Sequence, residues 1–249
     1  MQHVWDDAWF AVRILLLAAL TVTLAAAYGA GLRWLPVWAI LRAGLQLSIV
    51  ALLLRGVLTA PATAGAFVLL MLTTASLTSM GRTRDLWRGR PAAVLGVVVG
   101  SVASLTAVFA LQLASLDARY VVATGGIVIG NAMTAATLSG RNFLRASREG
   151  AAEIEAWLAL GASPTFAHRD PAREAVRESL IPTLDQSKST GLVTLPGAFV
   201  GALFGGAGPV EAAKFQLVVL AGIALAMVTT AIVVTAVVRR SPYVLDKGA

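Results

Sequence analysis

The sequence contains no cysteine and only two histidines, His3 and His168. Because it lacks thiols, the chain cannot form disulfides, bind an iron–sulfur cluster or hold a metal ion through thiolates. The two histidines are too far apart for a metalloprotease HExxH site. The sequence also lacks the GxxxxGK[ST] loop that cradles nucleotide phosphates, since no glycines precede Lys188, Ser189 and Thr190 at that spacing. Thiol chemistry and nucleotide binding through a P-loop are therefore excluded.

Charged residues are scarce as well, at 13% of the chain, whereas 57% of the residues are hydrophobic and the mean hydropathy is +0.78. This apolar share exceeds that of soluble domains. The apolar runs are long enough for membrane helices, which need roughly 20 residues, and they lack the alternation of barrel strands. We therefore predict an all-α, polytopic integral membrane protein, built as a single transmembrane domain over residues 1–249 and placed in the plasma or inner membrane.

Hydropathy predicts seven transmembrane helices. Their expected bounds are 9–30, 36–58, 62–80, 92–114, 120–139, 181–204 and 212–238. Between the fifth and sixth helices lies a polar segment, about 141–180, whose composition favours helix over an unstructured linker.

The basic residues predict the orientation of these helices. Most lysines and arginines fall in one set of loops, whereas the opposite set holds Arg55, Arg119 and Lys214. The positive-inside rule then places the N-terminus outside and the C-terminus in the cytoplasm, in agreement with an odd number of spans. The net charge of +7 is thereby assigned to cytoplasmic loops rather than to nucleic-acid binding.

A few charged and polar residues lie inside the predicted spans. Arg42 and Gln46 are one turn apart on the second helix and share a face. Asp185 enters the sixth helix from the same side at a similar depth, so we expect Arg42 and Asp185 to approach each other. Lys188, three residues after Asp185, is the competing partner. A neutralised pair that fixes helix positions and a role in a transport pathway remain open alternatives.

The predicted sixth helix also carries helix-breaking residues. Pro196 followed by Gly197 predicts a kink or break, because proline removes an amide donor and clashes with the preceding turn. Thr190 ends a polar run just before this position, as in transporters whose broken helices expose backbone groups to substrate. In the fifth helix, Asn131 either hydrogen-bonds a neighbouring helix or faces the pathway.

Small residues recur at a spacing of four. The pairs are Gly96 with Gly100, Gly126 with Gly130, and Gly197 with Gly201. Such spacing lets helix backbones approach closely in lipid. We expect packing within the chain, with a dimer seam as the alternative.

The segment 141–180 has clear local signals for helix ends. Gly161 is suited to a left-handed cap after a helix over 142–160. Ser163–Pro164 and Asp170–Pro171 each predict an N-cap followed by proline at the first helical position. Apolar side chains in this segment, Trp157, Leu158, Leu160 and Phe166, need a partner surface or the protein's own inner face.

Two patterns in the sequence resemble known transporters. Glu155, Ala156 and Gly161 fit the EAA-xxx-G pattern of the coupling loop of ABC transporter permeases, with Trp157 in place of the last alanine. GNAM at 130–133, LGAS at 160–163 and LIPTLDQSKSTGLVTLPGAFVG at 180–201 resemble FetB-type permeases, as do Arg42 and Gln46. That family includes bacterial ABC iron exporters and plant aluminium-tolerance proteins.

The resemblance implies a permease domain that forms a homodimer and works with a separate cytoplasmic P-loop ATPase. The chain would then be no enzyme and bind no cofactor, with ATP and Mg²⁺ held by the ATPase. It would export iron or another metal or its complex, and its metal ligands are left unknown. The coupling residues would be Glu155, Ala156, Gly161, Ala162 and Ser163. The pathway or charge network would comprise Arg42, Gln46, Asn131, Asp185, Lys188, Thr190, Pro196 and Gly197.

Other functions remain compatible with the residues. A gradient-driven secondary transporter would use Asp185 as a proton or ion relay. A membrane scaffold or sensor would need no pathway. An intramembrane enzyme finds no support, because the sequence offers no Ser/His, paired-Asp or metal-ligand constellation.

Overall fold

The computed structural model describes residues 2–59 and 61–243, except for the side chains of residues 2–8, 55, 57–59 and 61. The described chain is helical, as predicted, with a single β-bridge between Thr190 and Thr194. A 3₁₀ turn at Pro61–Thr63 precedes the third helix. The helices are α1 Gln2–Ala27, α2 Leu35–Thr59, α3 Ala64–Arg82, α4 Gly89–Ala110, α5 Ala118–Glu149, α6 Ala151–Ala159, α7 Pro164–Ala167, α8 Arg169–Lys188, α9 Gly197–Phe204 and α10 Pro209–Val238.

The chain divides into two compact units, Met1–Ala60 and Pro61–Ala249. In the first unit, α1 and α2 pack against each other. They are joined by a turn in which Gly29, Gly31 and Arg33 all have positive φ. The second unit contains all the remaining helices. A single transmembrane domain over the whole chain stays a prediction.

The most extensive contact between helices in the second unit joins α4 and α10. Thr230 on α10 donates its hydroxyl to the carbonyl of Gly96 at 3.1 Å, and Ser104 on α4 donates to the carbonyl of Gly222 at 2.7 Å. A Cβ added to Gly100 would lie 2.7 Å from the carbonyl oxygen of Ala226. Early residues of α4 thus meet late residues of α10, so the two helices are antiparallel. Close packing of small residues with interhelical hydrogen bonds is how helices associate in lipid.

Helices α5 and α10 run parallel in this bundle. Tyr120 and Phe215, near their starts, make an edge-to-face contact with ring centroids 5.3 Å apart. Farther along, Ala135 and Met227 share a buried cluster. The chain therefore has to return to the starting end of the bundle between the end of α5 and the start of α10.

The return is made by α8, an irregular turn and α9. At the start of α8, the His168 ring lies 5.9 Å from the ring of Phe143 on α5. Farther along, Leu180 and Ala198 both pack against the buried cluster around Val219. The segment 169–204 thus runs along the height of the bundle in two helical pieces.

Six of the described helices are long and apolar enough to cross a membrane, and they correspond to the predicted spans at 9–30, 36–58, 62–80, 92–114, 120–139 and 212–238. The sixth predicted span, 181–204, is not one continuous helix. α8 ends at Lys188, residues 189–196 are irregular, and α9 begins at Gly197. The predicted break at Pro196–Gly197 is confirmed, but the interruption extends back to Ser189.

The glycines of the α4–α10 contact give a stability test. Alanine in a helix interior normally stabilises by about 1 kcal/mol relative to glycine. At Gly100, the added methyl group would collide with α10 and cost about 1–3 kcal/mol. We therefore expect Gly100→Ala to lower the melting temperature of the detergent-purified protein by several degrees.

The matched control is Gly130→Ala in the interior of α5, where nothing lies within 4 Å of the added atom. Its melting temperature should stay the same or rise. Equal behaviour of the two variants would contradict the close contact between α4 and α10.

Candidate functional site

The turn between α8 and α9 is ordered by its own backbone. The N–H of Gly191 donates to the carbonyl of Thr194 at 2.8 Å, and the N–H of Val193 donates to the carbonyl of Ser189 at 3.0 Å. Gly191 has φ of +90°, a value that favours glycine. The tip of the turn is apolar, and Leu192 is 95% exposed. The interruption is therefore a compact loop that satisfies part of its backbone internally and presents apolar side chains outward.

Asp185 and Lys188 form an ion pair on the last turns of α8. The Lys188 Nζ atom donates to the Asp185 Oδ1 atom at 2.9 Å. Both side chains are mostly exposed. The competing partner predicted for Asp185 is thus present within its own helix. Arg42 and Gln46 lie on α2 in the first unit, and the pairing of Arg42 with Asp185 stays a prediction.

Hydroxyl groups near this ion pair donate to carbonyls of α8 four residues earlier in the chain. Thr190 donates to the carbonyl of Gln186 at 3.2 Å, and Ser187 donates to the carbonyl of Thr183 at 2.8 Å. Pro182 lies inside α8 and lacks an amide donor. The end of α8 therefore combines a neutralised charge pair with hydroxyl oxygens that can still accept hydrogen bonds.

Asn131 was expected either to bond a neighbouring helix or to face the pathway. Its Nδ2 atom donates to the carbonyl of Ile127 on the same helix at 2.8 Å. This bond lies within α5 and uses one of the two N–H donors of the amide, so the expected hydrogen bond to a neighbouring helix stays a prediction. Its half-buried position leaves the pathway role as a prediction.

A cleft of about 740 Å³ opens beside the break. It lies among α9 and the first turns of α5 and α10, and Pro196 and Gly197 are part of its wall. Gln216 on α10 accepts the backbone N–H of Phe199 at 3.2 Å, which fixes the start of α9. Nothing lies within 4 Å of a Cβ added to Gly197 or Gly201, so these glycines do not serve helix packing inside the described chain.

The polar residues of this cleft were not predicted as site residues from the sequence. Arg119, Tyr120 and Gln216 line it together with the apolar Phe215. They sit at the starts of two different helices, so no local motif joins them. The one hint in the sequence was Arg119, which lies in the set of loops that contains few lysines and arginines.

The predicted coupling residues lie on the helical elbow formed by α6, α7 and the start of α8. Glu155 and Ala156 are exposed on α6. Gly161 has φ of +84°, which confirms the left-handed cap, and Ala162 continues the link to α7. Ser163 caps α7 by accepting the N–H of Phe166 on its Oγ atom at 3.3 Å, as predicted.

Two local predictions in this elbow are wrong. The helix expected over 142–160 is divided at Gly150, where α5 ends and α6 begins. Asp170 does not cap a helix, because α8 already starts at Arg169 and both Arg169 and Arg173 bind the carboxylate. The hydrogen bond from Arg169, aided by the positive charges of Arg169 and Arg173, lowers the pKa of Asp170 below its ordinary value.

Apolar side chains form an exposed surface on this elbow, which we call the aromatic knob: Trp157, Leu160 and Phe166. The rings of Trp157 and Phe166 meet edge to face at 5.0 Å, and the Arg169 guanidinium lies 5.0 Å from the Phe166 ring centroid. Leu160 is 79% exposed. The aromatic contact fixes the knob without burying it. Apolar residues in this arrangement are suited to docking on another protein.

His168 connects the knob to the helical bundle. The side chain is fully buried, and its Nδ1 atom is 3.0 Å from the carbonyl oxygen of Pro164. Its ring packs on Phe143 of α5. No feature of the sequence predicts this contact, since a lone histidine in a polar segment is expected at the surface. The knob, α5 and the start of α8 are therefore held together at one buried junction.

The chain is similar in sequence to several known proteins. The chain is 32% identical over 204 residues to the "UPF0014 membrane protein STAR2" of Oryza sativa subsp. japonica, covering 81% of this chain and 72% of that protein. It is 29% identical over 236 residues to "Protein ALUMINUM SENSITIVE 3" of Arabidopsis thaliana, covering 88% and 86%. It is 29% identical over 184 residues to the "Probable iron export permease protein FetB" of Escherichia coli (strain K12), covering 73% and 71%.

No solved structure matches the chain. The family described as "Uncharacterised protein family (UPF0014)" matches residues 9–243, almost the whole chain. The resemblance drawn from the motifs at 130–133, 160–163 and 180–201 is thereby confirmed. The chain belongs to the UPF0014 family of multi-pass membrane proteins.

Proposed function

We propose that this protein is the membrane permease of an ABC-type exporter that moves a metal or its complex and is driven by a separate ATPase. The observation that carries the proposal is the exposed aromatic knob, joined without a spacer to the broken segment of α8 and α9. The name of the relative from Escherichia coli supports export of iron as the starting hypothesis for the cargo.

The segment 169–204 acts as a seventh membrane crossing. Support comes from the parallel arrangement of α5 and α10, whose starts meet at Tyr120 and Phe215. Two parallel neighbours in one bundle require the chain to cross back between them. With this crossing, the positive-inside rule places the N-terminus outside and the C-terminus in the cytoplasm.

The elbow converts movement of the ATPase into movement of the crossing. The knob docks in a groove of the ATPase, and ATP with Mg²⁺ stays in that subunit, so this chain itself is not an enzyme and binds no cofactor. The His168 junction passes the displacement to α8. α8 is a helix of 20 residues, about 30 Å long, which transmits the displacement to the turn at 189–196. A homodimer carrying two ATPase subunits gives each knob one partner.

The cargo meets the ion pair and the break at the far end of α8. The residues assigned to this pathway are Arg42, Gln46, Asn131, Asp185, Lys188, Thr190, Pro196 and Gly197. Asp185 is already neutralised by Lys188 at 2.9 Å, so a bare cation has to displace the ammonium group before it binds the carboxylate. A metal that arrives with its own ligands avoids this competition.

The knob assignment predicts a defect in assembly. Leu160→Asp places a charge in the centre of the proposed interface, where truncation of a central apolar residue alone costs about 2 kcal/mol or more. We expect at least a tenfold loss of the ATPase that copurifies from cells expressing both subunits. The ATPase to use is a lone P-loop ATPase encoded beside the gene for this chain.

The control for this variant is Leu116→Asp, at a leucine of matching exposure in the connection between α4 and α5. It should retain the ATPase. If Leu160→Asp keeps both the ATPase and ATP-driven transport, the coupling assignment is wrong. Transport that needs an ion gradient and no ATP would instead support a secondary transporter.

The ion pair predicts a distinguishable defect in transport. Asp185→Asn leaves Lys188 without its partner, whereas Asp185→Asn combined with Lys188→Gln removes both charges. If Asp185 contacts the cargo, both variants should lose ATP-dependent export in inside-out vesicles while remaining monodisperse and bound to the ATPase.

Recovery of export in the double variant would contradict that role. It would show that Asp185 serves only to neutralise Lys188, because removing the charge of Lys188 as well would then be enough to restore export.

A further inference from the structure

Three arginines lie along one face of the last turns of α5. Arg141, Arg145 and Arg148 are spaced by four and three residues, so their side chains share a face. All three are exposed. Together with Leu144 and Glu149 they line a shallow groove of about 450 Å³, which we call the arginine groove.

The arginine groove has a fixed orientation on the bundle. The opposite face of α5 is buried through Gly140, Phe143 and Ser147. Leu86 and Thr83 from the connection between α3 and α4 lie against Gly140. Because this face is locked into the core, the arginines cannot turn inward to find partners there.

The groove also lies at the level where α5 leaves the membrane. α5 has 32 residues and is about 48 Å long, whereas the hydrocarbon core is about 30 Å thick. The apolar part of the helix, counted from its start near Tyr120, ends close to Leu138. The first arginine, Arg141, follows one turn later, at the depth of the lipid headgroups.

The charges of the groove are uncompensated within the described chain. Three other arginines at this end of the bundle have acidic partners: Arg84 pairs with Asp85, and Arg169 and Arg173 pair with Asp170. Among the described residues, no ion pair or hydrogen bond joins a side chain to Arg141, Arg145 or Arg148. Glu149 is the one acid that lines the groove, so the arginines leave an excess of positive charge.

We propose that the arginine groove binds the phosphate of an anionic phospholipid. Guanidinium groups form paired, charge-assisted hydrogen bonds with phosphate oxygens. Leu144, half-buried between the arginines, offers an apolar contact for the glycerol and the first acyl carbons. A basic groove beside a membrane helix at headgroup depth is where such lipids bind. The proposal depends on the membrane placement of α5 and not on the assignment of an ATPase.

The test compares two pairs of exposed arginines on different helices. Arg145→Gln/Arg148→Gln removes two charges from the groove, and Arg173→Gln/Arg177→Gln removes two from an exposed face of α8. Phosphatidylglycerol is titrated into each full-length protein held in phosphatidylcholine nanodiscs, and bound lipid is counted by native mass spectrometry. We expect the groove variant to bind phosphatidylglycerol about 25-fold more weakly, roughly fivefold per arginine, and the α8 variant to bind as the unchanged protein does.

Two further arms identify the ligand. Inorganic phosphate at millimolar concentration should not displace the lipid, because it lacks the acyl contact with Leu144. Displacement by phosphate would overturn the lipid assignment in favour of a soluble phosphate site. Equal lipid binding by both double variants would also overturn it. A groove variant that binds lipid normally but fails to copurify with the ATPase would assign the groove to the protein partner.

Discussion

The contact between α4 and α10 determines the rest of the second unit. In lipid, apolar side chains gain no free energy by moving from the acyl chains into a contact between helices. Helix association therefore depends on close backbone approach and hydrogen bonds. Gly96 and Gly100 permit that approach, and Thr230 and Ser104 supply the bonds. Once α10 is antiparallel to α4, it is parallel to α5. The segment between α5 and α10 must therefore return along the bundle, which explains why residues 169–204 run along its height.

This returning segment is built differently from its neighbours. A continuous apolar helix would satisfy every backbone group internally, whereas a broken one leaves groups that need other partners. The turn supplies some of these itself, through Gly191 with Thr194 and Val193 with Ser189. Pro196 and Gly197, where the turn ends and α9 begins, line the cleft. The returning segment therefore places a non-helical turn, partly bonded to itself, next to the cleft.

The sequence predicted the features that depend on local chemistry. Hydropathy located six helices, and Gly161 and Ser163 marked helix ends because left-handed φ and capping are decided by one or two residues. The predicted N-cap at Asp170 is wrong, because Arg169 and Arg173 bind its carboxylate. The His168 junction and the cleft join residues far apart in the chain, so only the packed structure reveals them. The pairing of Arg42 with Asp185 lies between two units and stays a prediction.

The surface of α8 indicates how a displacement could pass through the bundle. The side chains that α8 buries are small, namely Ala172, Ala175 and Ser179. The larger Leu180, which is partly buried, adds a contact with the buried cluster around Val219. By contrast, α5 is held by Phe143 in the core. At the start of α8, His168 packs on that same Phe143, so in the proposed mechanism a displacement of the elbow has to move α5 and the start of α8 together.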